Sequence, residues 1–106
     1  MSTRRDYVFV GVNVGLDQTV CFDDALIGEF GLERVFDGMF GEYHFIGTSL
    51  QQACEADGES IEPMRLDGKD VKAVVESVKH KIARLSNKMN QHIDSDVGVW
   101  VFTDWS

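Results

Sequence analysis

The longest regular pattern in the chain lies in residues 68–93, GKDVKAVVESVKHKIARLSNKMNQHI. Apolar side chains recur in it at spacings of three and four, which is the period of one face of an α-helix. We predict a helix that begins near Gly68, ends at Asn90 and packs this face across several strands. The apolar face consists of Val71, Val74, Val75, Val78, Ile82, Leu85 and Met89; Ile93 continues the same spacing beyond Asn90.

Two segments at opposite ends of the chain alternate in the way of β-strands. Residues 7–14, YVFVGVNV, and residues 97–102, VGVWVF, each place valines on one face and aromatic residues on the other. This period of two predicts a strand in each segment. We expect the valine faces to pack against helices, which leaves an aromatic face on the other side of the sheet. The aromatic residues are Tyr7, Phe9, Trp100 and Phe102.

A second, shorter helix is predicted between Asp17 and Phe30. Asp17 or Asp23 would be its N-cap, because an Asp side chain accepts hydrogen bonds from the first free backbone N–H groups of a helix. Ile27 and Phe30 would face inward, and Gly31 would end the helix.

A β-hairpin is predicted after this helix. Residues 32–40 contain Asp37-Gly38 between apolar pairs, and Asp-Gly favours a two-residue hairpin turn. Residues 43–48 would form the returning strand, with Gly41 accommodating a bulge. The alternative interpretation extends the helix through residues 32–40.

The segment between the hairpin and the long helix is predicted to be an acidic excursion on the surface. Residues 49–52, SLQQ, fit a capping box that opens a short helix, which Asp57-Gly58 would end. Pro63 cannot donate to a strand ladder, so it confines any strand in residues 61–66 to a sheet edge.

These elements predict one α+β domain over residues 1–106. Their order is β-α-β-β-α-β with the acidic excursion before the long second helix, which is the order of a ferredoxin-like two-layer sandwich. In that arrangement the first and last strands are antiparallel neighbours, and both helices cover one face of the sheet. With 43% hydrophobic residues, the 106-residue chain can bury a core of its own.

The charge of the chain is negative and unevenly distributed. Eighteen Asp and Glu residues oppose ten Lys and Arg residues, for a formal net charge of −8, which disfavours binding of nucleic-acid phosphate or anionic lipid by bulk charge. In residues 17–67 twelve acidic side chains oppose two arginines, whereas in residues 69–90 six basic side chains oppose two acidic ones. The lysines of the long helix are either a solvated outer face or a docking surface.

The sequence contains no motif that indicates catalysis or a bound cofactor. Cys21 and Cys54 lack C-x-x-C spacing and are too few for a disulfide framework, so we expect reduced thiols in a soluble, cytoplasmic protein. The three histidines lack the spacing of metal ligands, and no glycine-rich phosphate loop is present. Asp23-Asp24 is interpreted as a helix cap rather than as a catalytic carboxylate pair. We therefore predict no enzyme activity, no cofactor and no metal.

The aromatic face is the most informative feature for function. It is too apolar to stay bare in a soluble monomer, so it is covered by residues 49–66, by a protein partner or second copy, or by stacked nucleic-acid bases. We favour a small acidic, non-enzymatic protein-binding module of the inhibitor, immunity or adaptor type. Its partner would be a protein with a basic surface, such as a nucleic-acid-binding enzyme, and/or a second copy of the chain. The predicted binding residues are Tyr7, Phe9, Trp100 and Phe102 together with Asp37, Glu42, Glu55, Asp57, Glu59 and Glu62.

The alternative function is a nucleic-acid-binding or nuclease-like dimer of the same fold. It would use the basic face of the long helix, formed by Lys72, Lys79, Lys81, Arg84 and Lys88. Salt dependence separates the two hypotheses, because direct RNA binding weakens steeply as salt rises.

Overall fold

The computed structural model describes residues 3–15, 23–36, 43–93 and 96–105. Within these residues, four strands form one antiparallel sheet in the order β2-β3-β1-β4. Two α-helices and a short 3₁₀ helix complete the α+β architecture. The elements are β1 (Arg4–Asn13), α1 (Asp24–Glu29), β2 (Glu33–Phe36), β3 (His44–Cys54), the 3₁₀ helix (Glu55–Asp57), α2 (Gly68–Met89) and β4 (Gly98–Trp105).

The first and last strands are neighbours, as predicted. β1 pairs with β4 in antiparallel register, with Tyr7 opposite Phe102 and Phe9 opposite Trp100. Both strands are longer than the alternation indicated, because β1 begins at Arg4 and β4 continues to Trp105.

α2 agrees closely with its prediction. The side chain of Asp67 caps the helix by accepting a hydrogen bond from the backbone N–H of Asp70 at 3.1 Å, and Asn90 ends it in the left-handed conformation. The middle of the apolar face is buried against valines and isoleucines of β1 and β3. Burial of each such side chain contributes about 1.5–3 kcal/mol, so this helix supplies much of the core. The fully buried members are Val78, Ile82 and Leu85; Ile93 is also buried but follows the helix.

α1 lies on the same side of the sheet as α2. Its N-cap is Asp23, whose carboxylate accepts hydrogen bonds from the N–H groups of Ala25 and Leu26 at 2.9 and 3.4 Å. Ile27 enters the core beside α2, and Gly31 has a positive φ of 72° where the helix ends. The other cap candidate, Asp17, lies outside the described residues.

Residues 33–36 form a strand and not a continuation of the helix, but their register differs from the one that a two-residue turn at Asp37-Gly38 would set. β2 pairs with β3 so that Phe36 lies opposite His44, whereas a turn at Asp37-Gly38 would place Phe36 opposite Met39. Register follows the burial of side chains across the sheet rather than the local preference of Asp-Gly, and it sets Val35 opposite Phe45, both buried. The turn itself and the bulge proposed at Gly41 lie outside the described residues.

The short helix predicted from residues 49–52 is wrong, because β3 continues through them to Cys54. Ser49 does not cap a helix: its hydroxyl donates to the carboxylate of Glu33 on β2 at 2.9 Å. β1 pairs with the residues on both sides of Leu50, which is bulged out of the ladder at the register shift between Val8 and Phe9. The 3₁₀ helix then follows, and Gly58 ends it with a φ of 72°.

Within the described segments, no helix combines the length and the apolar character that crossing a membrane requires.

Candidate functional site

The aromatic face of the sheet, opposite the helices, carries a cluster of packed rings. Phe45 is at its centre, with its ring centroid 4.5 Å from that of Phe102 and 5.0 Å from that of Trp100. Phe102 also stacks on Tyr7 at 5.1 Å. Such offset and tilted contacts are the favourable geometries for aromatic rings. The cluster consists of Tyr7, Phe9, Tyr43, Phe45, Trp100 and Phe102.

Two glycines let these rings lie close to the sheet. Gly11 on β1 is directly opposite Gly47 on β3. A Cβ on Gly11 would lie 2.2 Å from the carbonyl oxygen of Ile46 and 2.8 Å from the Phe9 ring. The indole N–H of Trp100 donates to the carbonyl of Gly11 at 3.0 Å. The rings therefore cover the backbone of the sheet face themselves.

The predicted aromatic site residues have very different exposures. Tyr7 and Phe9 are buried in the cluster, Phe102 is half-buried, and Trp100 is 37% exposed. Among the described residues, no part of the 55–67 segment belongs to the cluster, so the predicted cover by the excursion is not seen there. The aromatic face is thus core beside β3 and surface beside β4.

The helix-facing side of β4 is exposed, which corrects in part the prediction that both valine faces meet the helices: Val97, just before the strand, is buried in the core with α2, whereas the valines within β4 are not buried. Val99 lies opposite Val10 and is 39% exposed, while Val101 lies opposite Val8 and is 76% exposed. The cause is the position of the helices, since α2 packs over β1 and β3 and α1 packs over β2. Trp105, at the end of the strand, is also exposed. Among the exposed apolar residues of β4, Val99, Val101 and Trp105 thus lie on the helix-facing side, and Trp100 lies on the aromatic face.

The second predicted part of the site is a group of carboxylates after β3, called the acidic corner below. Glu59 accepts a hydrogen bond from the backbone N–H of Cys54 at 3.3 Å, which fixes the loop against the strand. The backbone of Glu62 makes two hydrogen bonds to the side chain of Gln51, at 3.1 and 3.2 Å. Two further predicted carboxylates, Asp37 and Glu42, lie outside the described residues. The acidic corner consists of Glu55, Asp57, Glu59 and Glu62, all of them exposed.

Two arginines of β1 connect the acidic corner with the end of β4. Arg4 lies opposite Trp105, and its Nε is 3.7 Å from a carboxylate oxygen of Glu55. Arg5 lies opposite Cys54, and hydrogen bonding to Cys54 and then to Tyr7 raises the pKa of Arg5, which keeps the guanidinium charged. Trp105 and the carboxylates therefore belong to one end of the sheet. Sequence reasoning missed Trp105, Val99 and Val101 as surface residues, because alternation assigns side chains to a face without showing which strand is at the edge.

The basic residues of the alternative function do not share one flank of α2. The guanidinium of Arg84 lies 5.4 Å from the Phe30 ring centroid, and the Lys81 side chain approaches Gly31. Both are thus on the flank next to α1. Lys72 and Lys79, seven residues apart, fall on the opposite flank of the same helix by the 100° rotation per residue. The positive charge is divided over two sides of α2.

The described residues contain no group of three or more His, Cys, Asp or Glu residues that could hold a metal ion. Asp23 and Asp24 have separate roles, since Asp23 caps α1 and Asp24 pairs with Arg34 at 3.1 Å. Burial lowers the pKa of His44, and the positive charge of Arg34 lowers it further by a smaller amount.

No family model matches the sequence, and no curated protein or solved structure is detectably similar to it.

Proposed function

We propose that the chain is a small acidic protein-binding module without catalytic activity, of the inhibitor, immunity or adaptor type, whose partner presents a basic surface. The observation that carries this proposal is the position of Trp105 beside the acidic corner at one end of the sheet. We further propose that the α+β domain is of the ferredoxin-like type. The element order, and two helices against one face of a sheet ordered β2-β3-β1-β4, support it.

Exposed aromatic residues and carboxylates have complementary roles in such a surface. A tryptophan contributes a large apolar area at small conformational cost, so Trp and Tyr are frequent at the energetic centre of protein interfaces. Trp100 is partly held by its hydrogen bond to Gly11, which fixes the ring before a partner arrives. Carboxylates at the rim accelerate encounter with a positive partner and exclude negative ones.

The acidic corner stays negative after its neighbours are counted. It has four carboxylates, and the two arginines of β1, Arg4 and Arg5, offset at most two of them, since Arg4 is also 3.7 Å from a carboxylate oxygen of Asp6. The bridge from Arg4 to Glu55 is exposed and 3.7 Å long, so it is a weak pair that a partner cation can replace. A basic protein, for example the nucleic-acid site of an enzyme, is the partner that this charge favours. A reducing compartment such as the cytoplasm suits the free, buried thiol of Cys54.

The test is affinity capture with matched charge variants. The corner variant, Glu55→Lys, Asp57→Lys, Glu59→Lys, reverses three charges of the acidic corner. The control variant, Glu29→Lys, Glu76→Lys, Asp70→Lys, makes the same change in net charge at exposed helix positions. Both variants and wild type are immobilised. We expect wild type and the control to retain the same basic protein in low salt, and the corner variant to lose it. Equal retention by all three would contradict the acidic corner as the docking site.

Binding of purified nucleic acid distinguishes the alternative function from the proposed protein-binding function. The proposed module should leave RNA and DNA unbound at physiological salt, because of its net charge of −8. Retention of RNA that weakens with salt and with Lys79→Glu would instead support the nucleic-acid-binding alternative.

A further inference from the structure

The two edges of the sheet differ in how well they are protected against pairing. β2 is four residues long, and its Glu33 and Arg34 are engaged by Ser49 and Asp24. β4 is eight residues long, and within the described residues no strand pairs with its outer edge. A strand of this length is an exposed template for another strand unless charge, proline or a covering segment blocks it.

β4 carries few of the usual protective residues, and the one that it has, the inward-pointing charge of Asp104, lies next to the last residue of the strand. It contains no proline and no lysine, and its one charged residue, Asp104, is buried, where it accepts a hydrogen bond from the Tyr43 hydroxyl at 2.5 Å. Val101, near the middle of the strand, is 76% exposed. Among the described residues, no strand engages the backbone groups of this edge, and exposed apolar side chains flank them.

A second copy of β4 matches this edge when it runs antiparallel about Val101. Opposed residues in an antiparallel pair lie on the same face, so a two-fold axis at Val101 sets Trp100 opposite Phe102 and Val99 opposite Thr103. These residues are uncharged. Although each copy has a net charge of −8, the one charged residue of β4, Asp104, lies opposite Gly98 of the second copy, and the exposed Val101 lies opposite its own counterpart.

We propose that the occupant of the β4 edge is a second copy of the chain, which pairs β4 with β4 and makes one continuous eight-stranded sheet. This dimer does not depend on the acidic corner or on its partner. With the axis at Val101, residues 98–104 of the two copies pair, and this seven-residue pairing is about 24 Å long. It buries less area than a standard interface, so we expect reversible association with a Kd on the order of micromolar.

The affinity of this dimer should depend on salt in the opposite direction to the affinity for the proposed basic partner. Two copies with the same negative charge repel one another at long range, and screening removes that repulsion. The dimer should therefore strengthen as salt rises, whereas capture of a basic protein by the acidic corner should weaken. Failure of one proposal is thus distinguishable from failure of the other.

The experiment is sedimentation equilibrium of the full chain from about 1 µM to several hundred micromolar, with Val101→Lys as the variant and Ala73→Lys as its control. Both residues are exposed, so neither lysine should alter thermal unfolding. We expect wild type and Ala73→Lys to dimerise with the same Kd. Val101→Lys should raise the Kd at least tenfold, because two lysines meet at the axis. Monomers of wild type throughout this range, or a Val101→Lys dimer of unchanged Kd, would overturn the proposal.

Formation of a disulfide between the two copies tests whether the two-fold axis passes through Val101. Directly opposed residues of antiparallel strands have Cα atoms about 4.5–5.5 Å apart, within the range that a disulfide spans. Val101→Cys, in a chain with Cys21 and Cys54 replaced by alanine, should form a covalent dimer on mild oxidation much faster than Ala73→Cys. Equal rates for the two variants would contradict pairing about Val101.

Discussion

Replacing Trp100 by alanine should lower the free energy of unfolding by an amount that the ring's partial burial sets. The residue is 37% exposed, so about 63% of its surface is buried. Taking 150–250 Å² for a tryptophan and about 25 cal/mol per Å², the lost burial corresponds to about 2–4 kcal/mol. Its hydrogen bond to the Gly11 carbonyl adds about 1 kcal/mol at most, since water replaces the donor.

Urea denaturation followed by circular dichroism measures this change, with Phe45→Ala and Val101→Ala for comparison. Phe45, which is buried at the centre of the cluster, should cost about 3–5 kcal/mol, and the exposed Val101 less than about 0.5 kcal/mol. The expected loss of stability is largest for Phe45→Ala, intermediate for Trp100→Ala and smallest for Val101→Ala. A Trp100→Ala protein as stable as wild type would refute packing of this ring over the sheet, and a loss as large as that of Phe45→Ala would refute its exposure.

Three further predictions, which use four substitutions, concern the core and its pH dependence. Ile82→Asp should abolish cooperative unfolding, because it places an unpaired charge in the buried face of α2. Gly47→Ala should cost about 3 kcal/mol, since its Cβ would lie 2.0 Å from the carbonyl oxygen of Val10, while Gly28→Ala, with open space around it, should stabilise α1 by about 0.5–1 kcal/mol. His44→Gln should flatten the loss of stability below pH 6.5: burial lowers the pKa of folded His44, so the unfolded chain binds the proton first as pH falls.

Each of these three has an outcome that would contradict it. A normal thermal melt of Ile82→Asp would mean that α2 is not packed on the sheet. Equal effects of the two glycine substitutions would contradict the close approach of β1 and β3. Parallel stability curves for wild type and His44→Gln between pH 7 and pH 5 would show that His44 titrates alike in both states.

Local patterns predicted the elements whose signals are long. α2 was predicted from a period repeated over six turns, and Asp67 and Asn90 are residues that suit its two ends. The strands at both ends of the chain and the pairing of β1 with β4 followed from alternation and element order. β2 was distinguished from a helix by its position before Asp37-Gly38, although its register with β3 is not the one that a two-residue turn there would set.

The failures came from features that only tertiary structure determines. Ser49 has the local chemistry of a helix cap, yet β1 pairs with this segment at every residue except Leu50, and the strand prevails. The exposure of Val99 and Val101 depends on where α2 lies over the sheet, which no alternation shows. The predicted roles of Tyr7, Phe9 and the acidic corner in binding a partner stay predictions.

Amide hydrogen exchange along β4 tests most directly whether this edge is a protein-binding surface. β1 is bonded on both sides, so its amides should exchange slowly at every protein concentration. In β4, which is bonded on one side, alternate amides should exchange fast in dilute protein and become protected as the concentration rises. The β4 amides of Val101→Lys should stay fast throughout. Full protection of β4 in dilute protein, or fast exchange that neither concentration nor a captured partner alters, would contradict the account.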